Sequence, residues 1–536
     1  MNKKINLNYK AALSAVLAAV MLFSFAGCSL FGSHKKKSHK DDDDEEYEEE
    51  TEEEETESET ETEPSVPSET ETSETDMVSQ DSPEPSYRLE IELDTENDQI
   101  IGQMTVGFTN TADVDLTEIY FRDYPAAFLI DKGEYDVTEI TNVKDNRSGS
   151  DVEIARDGSD MTTVIVKLDD PVMSGSYVEI SLDFVTVIPA TSDRFGYFEN
   201  IYSLTDFYPI LCRFDKDGNW SHEPYYFTGE CFYTDMSDYD VELTVPSDMV
   251  VATGGQIISE ETDGDTKLLQ ITATDIRDFA FVASADFEVL EQTEGGITYY
   301  VYYAPNGYID QDIADRAMET CVNSISYFGE CFGEYPYPTF SCVFSPMGYY
   351  AGGMEYSGMV LIACDAYYDD PEDFFAGSVE LVTAHECGHQ WFMGIVGSDS
   401  YNEAWLDEGF ASYTEWVYCK KFFPDQAVDG PTWLGYDIST TIGEYDGLKG
   451  TNVNRSIRDM DDYTYWLTVY IEGSHFLYLL EKALGEQGMY DFVKEYVSRY
   501  SFKNSTSADF VATLYDVVGT DNAKVNEIVD VFIDLG

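Results

Sequence analysis

Thr383-Ala384-His385-Glu386-Cys387-Gly388-His389-Gln390-Trp391 is the stretch on which the reading of this 536-residue chain turns. On a helix His385 and His389 lie four residues apart, so their imidazoles leave one face about one turn apart. Two imidazoles at that separation can close on a single zinc ion. Glu386 is rotated around the axis by about 100°, which sets its carboxylate beside the metal and not on it. A base must stand there to take a proton from an attacking water. The plain alternative is a surface helix with two solvated histidines, and residues elsewhere in the chain decide between the two.

A zinc site needs a third protein ligand and an open position. Asn402-Glu403-Ala404-Trp405-Leu406-Asp407-Glu408-Gly409-Phe410-Ala411-Ser412-Tyr413 reads as a second helical stretch, and Glu408 follows His389 after an eighteen-residue gap. Upstream stands Gly352-Gly353-Met354-Glu355-Tyr356, and downstream Tyr470-Ile471-Glu472-Gly473. With these four stretches in this order, the chain resembles the gluzincin aminopeptidases, the aminopeptidase N family, from about Tyr87 to the C-terminus. The resemblance implies one zinc ion per chain, held by His385, His389 and Glu408. It implies that Glu386 is the general base and that Tyr470 donates to the developing oxyanion. It makes Gly352, Gly353, Met354 and Glu355 an edge strand that pairs with a peptide substrate, with Glu355 gripping the free α-ammonium. Two positions depart from the family pattern: Tyr356 stands where Asn is usual, and Glu472 where Lys is usual. Large relatives append a helical domain. This chain ends about sixty-five residues beyond Tyr470, so the expectation is the short form without that domain, with a more open cleft.

Taken without the family, the same residues say less. Paired glycines let a backbone approach a ligand closely, yet they also suit an ordinary hairpin loop. Tyr470 is one of 40 tyrosines, and only the resemblance singles it out. Glu415 lies seven residues after Glu408 on the same helical face, where it either orients a ligand or is solvated. His222 and His475 read as structural. His475 lies one turn beyond Ile471, so contact with substrate is the alternative there.

The N-terminus reads as an export signal, with Lys3, Lys4 and Lys10 ahead of an apolar run from Ala11 to Ala26. Phe25-Ala26-Gly27-Cys28 resembles a bacterial lipobox, with Phe25 where Leu is usual. Residues 1–28 are therefore expected to be a lipoprotein signal peptide, with Cys28 lipidated and the chain anchored to the outer face of a bacterial cell membrane. Cleavage as an ordinary signal peptide is the alternative. Residues 29–86 are dominated by Glu, Asp, Ser, Thr and Pro, and such a segment buries too little apolar surface to offset ordering entropy. The expectation is a disordered acidic linker, either a spacer or a solubilising tail.

The formal net charge is −75, and residues 87–536 keep 82 acidic against 23 basic side chains, near −59. Polyphosphate would be repelled, which excludes nucleic acid as a partner and favours cationic ligands. Peptide substrates and, through the lipid, a membrane are the partners implied. No protein partner is. Besides Cys28 there are Cys212, Cys231, Cys321, Cys331, Cys342, Cys364, Cys387 and Cys419, without C-x-x-C pairs, which argues against a second, cysteine-based zinc site. Cys387 reads as a buried thiol inside the metal-binding helix.

From 87 to 296 short apolar or alternating runs (Arg88 to Leu93, Val152 to Ala155, Thr163 to Leu168, Tyr177 to Val185, Tyr239 to Val245) are separated by turn residues. They predict an N-terminal all-β sandwich-like domain. From 297 to 536 the texture changes: Ile297 to Tyr303, Thr339 to Phe344 and Met359 to Ala363 still read as strands, Asp312 to Tyr327 as an amphipathic helix, and helical periodicity dominates after Asp373. The fold expected is α+β multidomain, the second domain being the thermolysin-like α/β zinc peptidase domain that the resemblance implies. The expected function is a cell-surface zinc aminopeptidase. The alternatives are an endopeptidase of the same chemistry, or a non-enzymatic surface-binding lipoprotein on a peptidase scaffold.

Overall fold

The computed structural model describes residues 85–131, 138–157, 161–348, 352–365, 378–424, 427, 432–433, 436–437 and 452–536. The expected signal peptide, its Cys28 and the acidic linker up to residue 84 lie outside the described residues. Residues 78–536 form one compact unit. Among the described residues no helix is long and apolar enough to cross a membrane.

Ser86–Asp94 (SYRLEIELD) shows how the β domain is built. Leu89, Ile91 and Leu93 are buried while Glu90 and Glu92 face out, the two-residue period of a strand with one wet face. It pairs parallel with Ser237–Pro246 and antiparallel with Gln99–Thr109 in an eight-stranded sheet. Two four-stranded sheets accompany it, one containing Ile201–Leu204 and Phe281–Ser284, the other Leu116–Arg122 and Thr163–Val172. All three sheets share one core, in which Leu89, Val106 and Ile180 meet Phe121, Val166, Phe195 and Phe281. The sandwich-like all-β domain expected from the alternation is present.

The second core belongs to a five-stranded sheet and the helices packed on it. Its strands run in the order Glu288–Glu294, Ile297–Tyr303, Thr339–Ser345, Met359–Ala363, Gly353–Tyr356. The expected boundary between 296 and 297 therefore needs correction. Gly295 and Gly296, at φ 62° and 91°, are the turn of a hairpin whose strands pair from Glu288↔Tyr303 to Glu294↔Ile297. A Gly-Gly that reads as punctuation between domains is a tight turn that needs positive φ, so the sheet begins at Glu288. Thr339–Ser345 (TFSCVFS) lies at the centre, parallel to both neighbours and buried from Phe340 on, as its β-branched and aromatic content requires.

The helix Gln311–Phe332 covers this sheet. Asp310 caps it by accepting from the Ile313 N–H at 3.1 Å, and the chain leaves it at Gly333 (φ 133°). Phe328 and Phe332 pack edge-on against Trp391, whose Nε1 donates to the Gly333 carbonyl at 2.8 Å. That single ring ties the end of one helix to the residues just past His389. Gly409 and Gly473 let two further helical segments touch backbone to backbone: a Cβ on Gly409 would lie 3.1 Å from the Gly473 Cα. The contact brings the stretch carrying Tyr470 against the helix that starts with Glu408.

Candidate metal centre and cleft

Val379–Gly388 is a helix whose N-terminus is capped by Ser378, which accepts from the Leu381 N–H at 3.2 Å. It ends as the metal-binding pattern ends. His389 is the C-cap residue but keeps helical dihedrals (φ −62°, ψ −17°), so the four-residue facing of His385 and His389 survives. Glu408 opens the next helix, Glu408–Phe422. Between them Ala404–Leu406 makes one 3₁₀ turn, and the chain bends at Asp407 so that Asp407 and Glu408 both reach the histidines.

The donor atoms converge. His385 Nε2 lies 3.2 Å from His389 Nε2 and 3.2 Å from a Glu408 oxygen, and His389 Nε2 lies 3.4 Å from that same oxygen. Ligands held about 2.0–2.1 Å from a zinc ion at tetrahedral angles stand roughly 3.3 Å apart, so the triangle fits one zinc ion. Two imidazole nitrogens and a carboxylate oxygen converging in a buried site form a donor set that suits a cation. Burial alone would lower the His385 pKa, but hydrogen bonds to Glu408 and Glu415 raise it to about 10. Burial opposes the Glu408 charge as well, yet both imidazoles hold that carboxyl far below the usual range.

A second layer of carboxylates orients the ligands. Glu415 Oε1 meets His385 Nδ1 at 2.8 Å and is buried, which decides between the two readings of Glu415. Asp407 Oδ1 meets His389 Nδ1 at 2.6 Å. Each ring thereby presents Nε2 to the site. The sequence reading missed Asp407. Adjacency to Glu408 was its only signal, and a regular helix would have turned it away from the site.

Glu386 is buried, and its Oε2 has no hydrogen-bond partner among the described residues, which leaves it available to a ligand. Burial pushes its pKa up to about 7 against the pull of His385 and His389. The edge strand Gly353–Tyr356 pairs antiparallel with Met359–Ala363, in the register Glu355↔Val360. It passes so close to Glu386 that a Cβ on Gly353 would collide with that carboxylate. Gly352 leads into the strand, and Met354 is buried in the core of the five-stranded sheet and its helices. Gln390 pins this hairpin to the residues after His389: its Nε2 donates to the Tyr356 carbonyl at 3.0 Å, and its Oε1 accepts from the Gly358 N–H at 2.9 Å.

Glu355 is buried and reaches within 3.9 Å of His389 Nδ1. Among the described residues no Lys or Arg pairs with it. Burial pushes its pKa up. Tyr356, on the opposite face of the strand, is 3 % exposed and feels Asp206 and Arg194 of the β domain. The departure from the family pattern is thus spent on packing between domains, away from Glu355. Tyr470 lies in a π-helical turn, Trp466–Glu472, with its ring stacked on His385 at 6.1 Å and its hydroxyl against Glu408. Glu230, a second residue the sequence reading did not single out, comes from the β domain and acts on Glu355, Glu386 and Asp407. Nothing local in its sequence marks it, because these groups lie more than a hundred residues further along the chain.

His222 packs on Tyr120 (5.0 Å), outside this cluster. His475 sits between Tyr478 and Phe532, and burial lowers its pKa to about 4. Cys231, Cys321, Cys331, Cys342, Cys364, Cys387 and Cys419 form no disulfide among the described residues. Cys387 is fully buried in the core, as its place in the helix suggests.

A family model described as Peptidase family M1 domain matches residues 316–532. Aminopeptidase 2 of Candida albicans is 23% identical over 389 residues, spanning 68% of this chain and 40% of that protein. Endoplasmic reticulum aminopeptidase 1 of Homo sapiens is 28% identical over 255 residues, 46% of this chain and 26% of that protein. The chain thus spans well under half the length of these curated relatives. The crystal structure of an M1 zinc metallopeptidase from Deinococcus radiodurans superposes with a TM-score of 0.57 at 16% identity, over 83% of this chain and 93% of that one. The two share a fold.

Proposed function

We propose that this chain, whose residues 316–532 match the M1 peptidase family model, is a gluzincin aminopeptidase: a cell-surface zinc enzyme acting on peptides with a free N-terminus. His385, His389 and Glu408 would hold one zinc ion, with Asp407 and Glu415 fixing the two imidazoles. Bound there, zinc supplies Lewis acidity: it polarises a carbonyl and lowers the pKa of water toward about 7. Glu386 takes the proton from the attacking water and returns it to the leaving amine. The Tyr470 hydroxyl stands where it can donate to the oxygen that gains charge. Gly352, Gly353 and Met354 offer an edge strand whose free side faces away from Met359–Ala363, and a substrate backbone can add to it.

The observation that carries the reading is Glu355. A buried carboxylate with no Lys or Arg partner among the described residues, and only His389 within 3.9 Å, is costly, and the α-ammonium of a peptide is a cation that fits beside Glu386 and His389. An endopeptidase would have no use for it. The charge-assisted contact is worth about 1.5–3 kcal/mol. Glu355→Gln is therefore expected to lower kcat/KM on free peptides roughly 10- to 150-fold, each 1.4 kcal/mol being about tenfold. N-acetyl peptides should be poor substrates of both forms and show little difference between them. Equal cleavage of acetylated and free peptides by the wild type would replace this reading with the endopeptidase one. A form that loads zinc yet turns over no aminoacyl reporter would favour the non-enzymatic scaffold.

The surface location rests on the signal-like N-terminus and Cys28. Cys28→Ala is expected to move the protein from the membrane fraction to a soluble exported form, with unchanged specific activity on small peptides. Retention of the variant in the membrane fraction would remove Cys28 as the anchor.

A further inference from the structure

The β domain sends one segment across to the stretch that leads into the Tyr470 turn. Glu223 forms an ion pair with Arg458, which also donates to the Tyr401 hydroxyl at 2.9 Å. The Tyr226 hydroxyl reaches the Met460 carbonyl at 3.5 Å, and the Thr228 hydroxyl donates to Asp462 at 2.6 Å. Gly229, at φ 75°, lies so close to Tyr465 that a Cβ there would overlap the Tyr465 ring and hydroxyl. The next residue, Glu230, is held from behind by Arg194 through two hydrogen bonds of 2.6 and 2.8 Å. One side of this strap is therefore fixed to the β domain, and the other presses on residues 460–465.

What it presses on is short and irregular. Asp462–Tyr465 is one helical turn, capped by Asp461, and it runs straight into the π-helical Trp466–Glu472. A π-helical turn is rare, and its neighbours must hold it in place. Tyr465 is buried and sits edge-on to Tyr470, ring centroids 5.7 Å apart at 81°. Gly229 thus touches Tyr465, Tyr465 touches Tyr470, and Tyr470 touches Glu408 and His385.

We propose that Thr228 and Gly229 of the β domain are positioning residues for Tyr470, so that the β domain sets the geometry of the catalytic turn. The inference rests on the reading of Tyr470 as the oxyanion donor. A donor misplaced by about 1 Å can cost on the order of 100-fold in turnover while substrate still binds.

The test measures kcat, KM and zinc content on free peptides for Gly229→Ala and Thr228→Val, each alone and in a Tyr470→Phe background. Gly229→Ala is expected to lower kcat about 10- to 100-fold and Thr228→Val about 3- to 10-fold, with KM within about twofold and zinc content unchanged. In the Tyr470→Phe background both effects should shrink below about twofold, because the donor they position is already gone. Equal loss in both backgrounds, a change in KM alone, or wild-type kcat in both single variants would overturn the proposal while leaving Tyr470 in its role. A Tyr470→Phe enzyme with wild-type kcat would overturn that role, and the strap's with it. Should Gly229→Ala fail to fold, Thr228→Val and its double variant decide by the same criteria.

Discussion

Glu386→Gln is expected to leave zinc bound and the fold intact while turnover falls by three to five orders of magnitude. The amide has nearly the volume of the carboxylate, so the close passage of Gly353 against it is preserved. The proposed ligands are untouched, because His385, His389 and Glu408 form one donor group, while Glu386 falls in a second with Glu355 and His389. What disappears, on the proposed reading, is the carboxylate assigned to move the proton of the attacking water. A loss of that size corresponds to about 4–7 kcal/mol of transition-state stabilisation at 1.36 kcal/mol per tenfold. The check is a pair of measurements on one sample, metal content per chain and kcat on an aminoacyl reporter. Metal content that falls in step with activity would move Glu386 into the ligand set and out of the base role.

Much of this site was legible in the sequence because its chemistry is local. A four-residue spacing on a helix forces two imidazoles onto one face, and Val379–Gly388 turns out to be that helix. The edge strand came from the resemblance alone, since Gly352-Gly353 ahead of Met354-Glu355 suits an ordinary hairpin loop equally, and the strands Gly353–Tyr356 and Met359–Ala363 pair as a hairpin. Asp407 was not legible, because the bend between Ala404–Leu406 and the following helix, which turns it toward His389, leaves no periodic trace. Glu230 and the strap around Gly229 were hidden for another reason. Their partners, Arg194, Asp462 and Tyr465, lie in other elements, and only the packing of the β domain on the catalytic part brings them together. The domain boundary misled in the opposite sense, since Gly295-Gly296 serves a hairpin turn as readily as a linker. In Tyr356 the departure from the family pattern was visible, but its destination between the domains was not.

Removing a ligand should separate metal from chemistry in the other direction. His385→Ala or Glu408→Ala is expected to reduce metal occupancy itself, and with it all activity. Closed zinc sites are worth about 10–16 kcal/mol over four ligands, so one ligand accounts for roughly 2.5–4 kcal/mol, or about 60- to 700-fold in affinity. Glu408→Ala should be the harsher of the two, since Glu408 also contacts both imidazoles and the Tyr470 hydroxyl. The measurement is zinc per chain after dialysis, together with the melting temperature with and without added zinc. A ligand that binds only the folded state stabilises it by RT ln(1 + [L]/Kd), so the wild type should melt higher as zinc is added. At the same zinc concentration the variants should show a much smaller rise, because their Kd is raised. The two readouts guard against confusion with misfolding, for an unfolded variant would show no cooperative melt at all. A variant that melts cooperatively and keeps a full equivalent of zinc after dialysis would remove that residue from the ligand set. The triangle of 3.2, 3.2 and 3.4 Å would then have to be an ion-paired cluster, and the hydrolytic reading would fall with it.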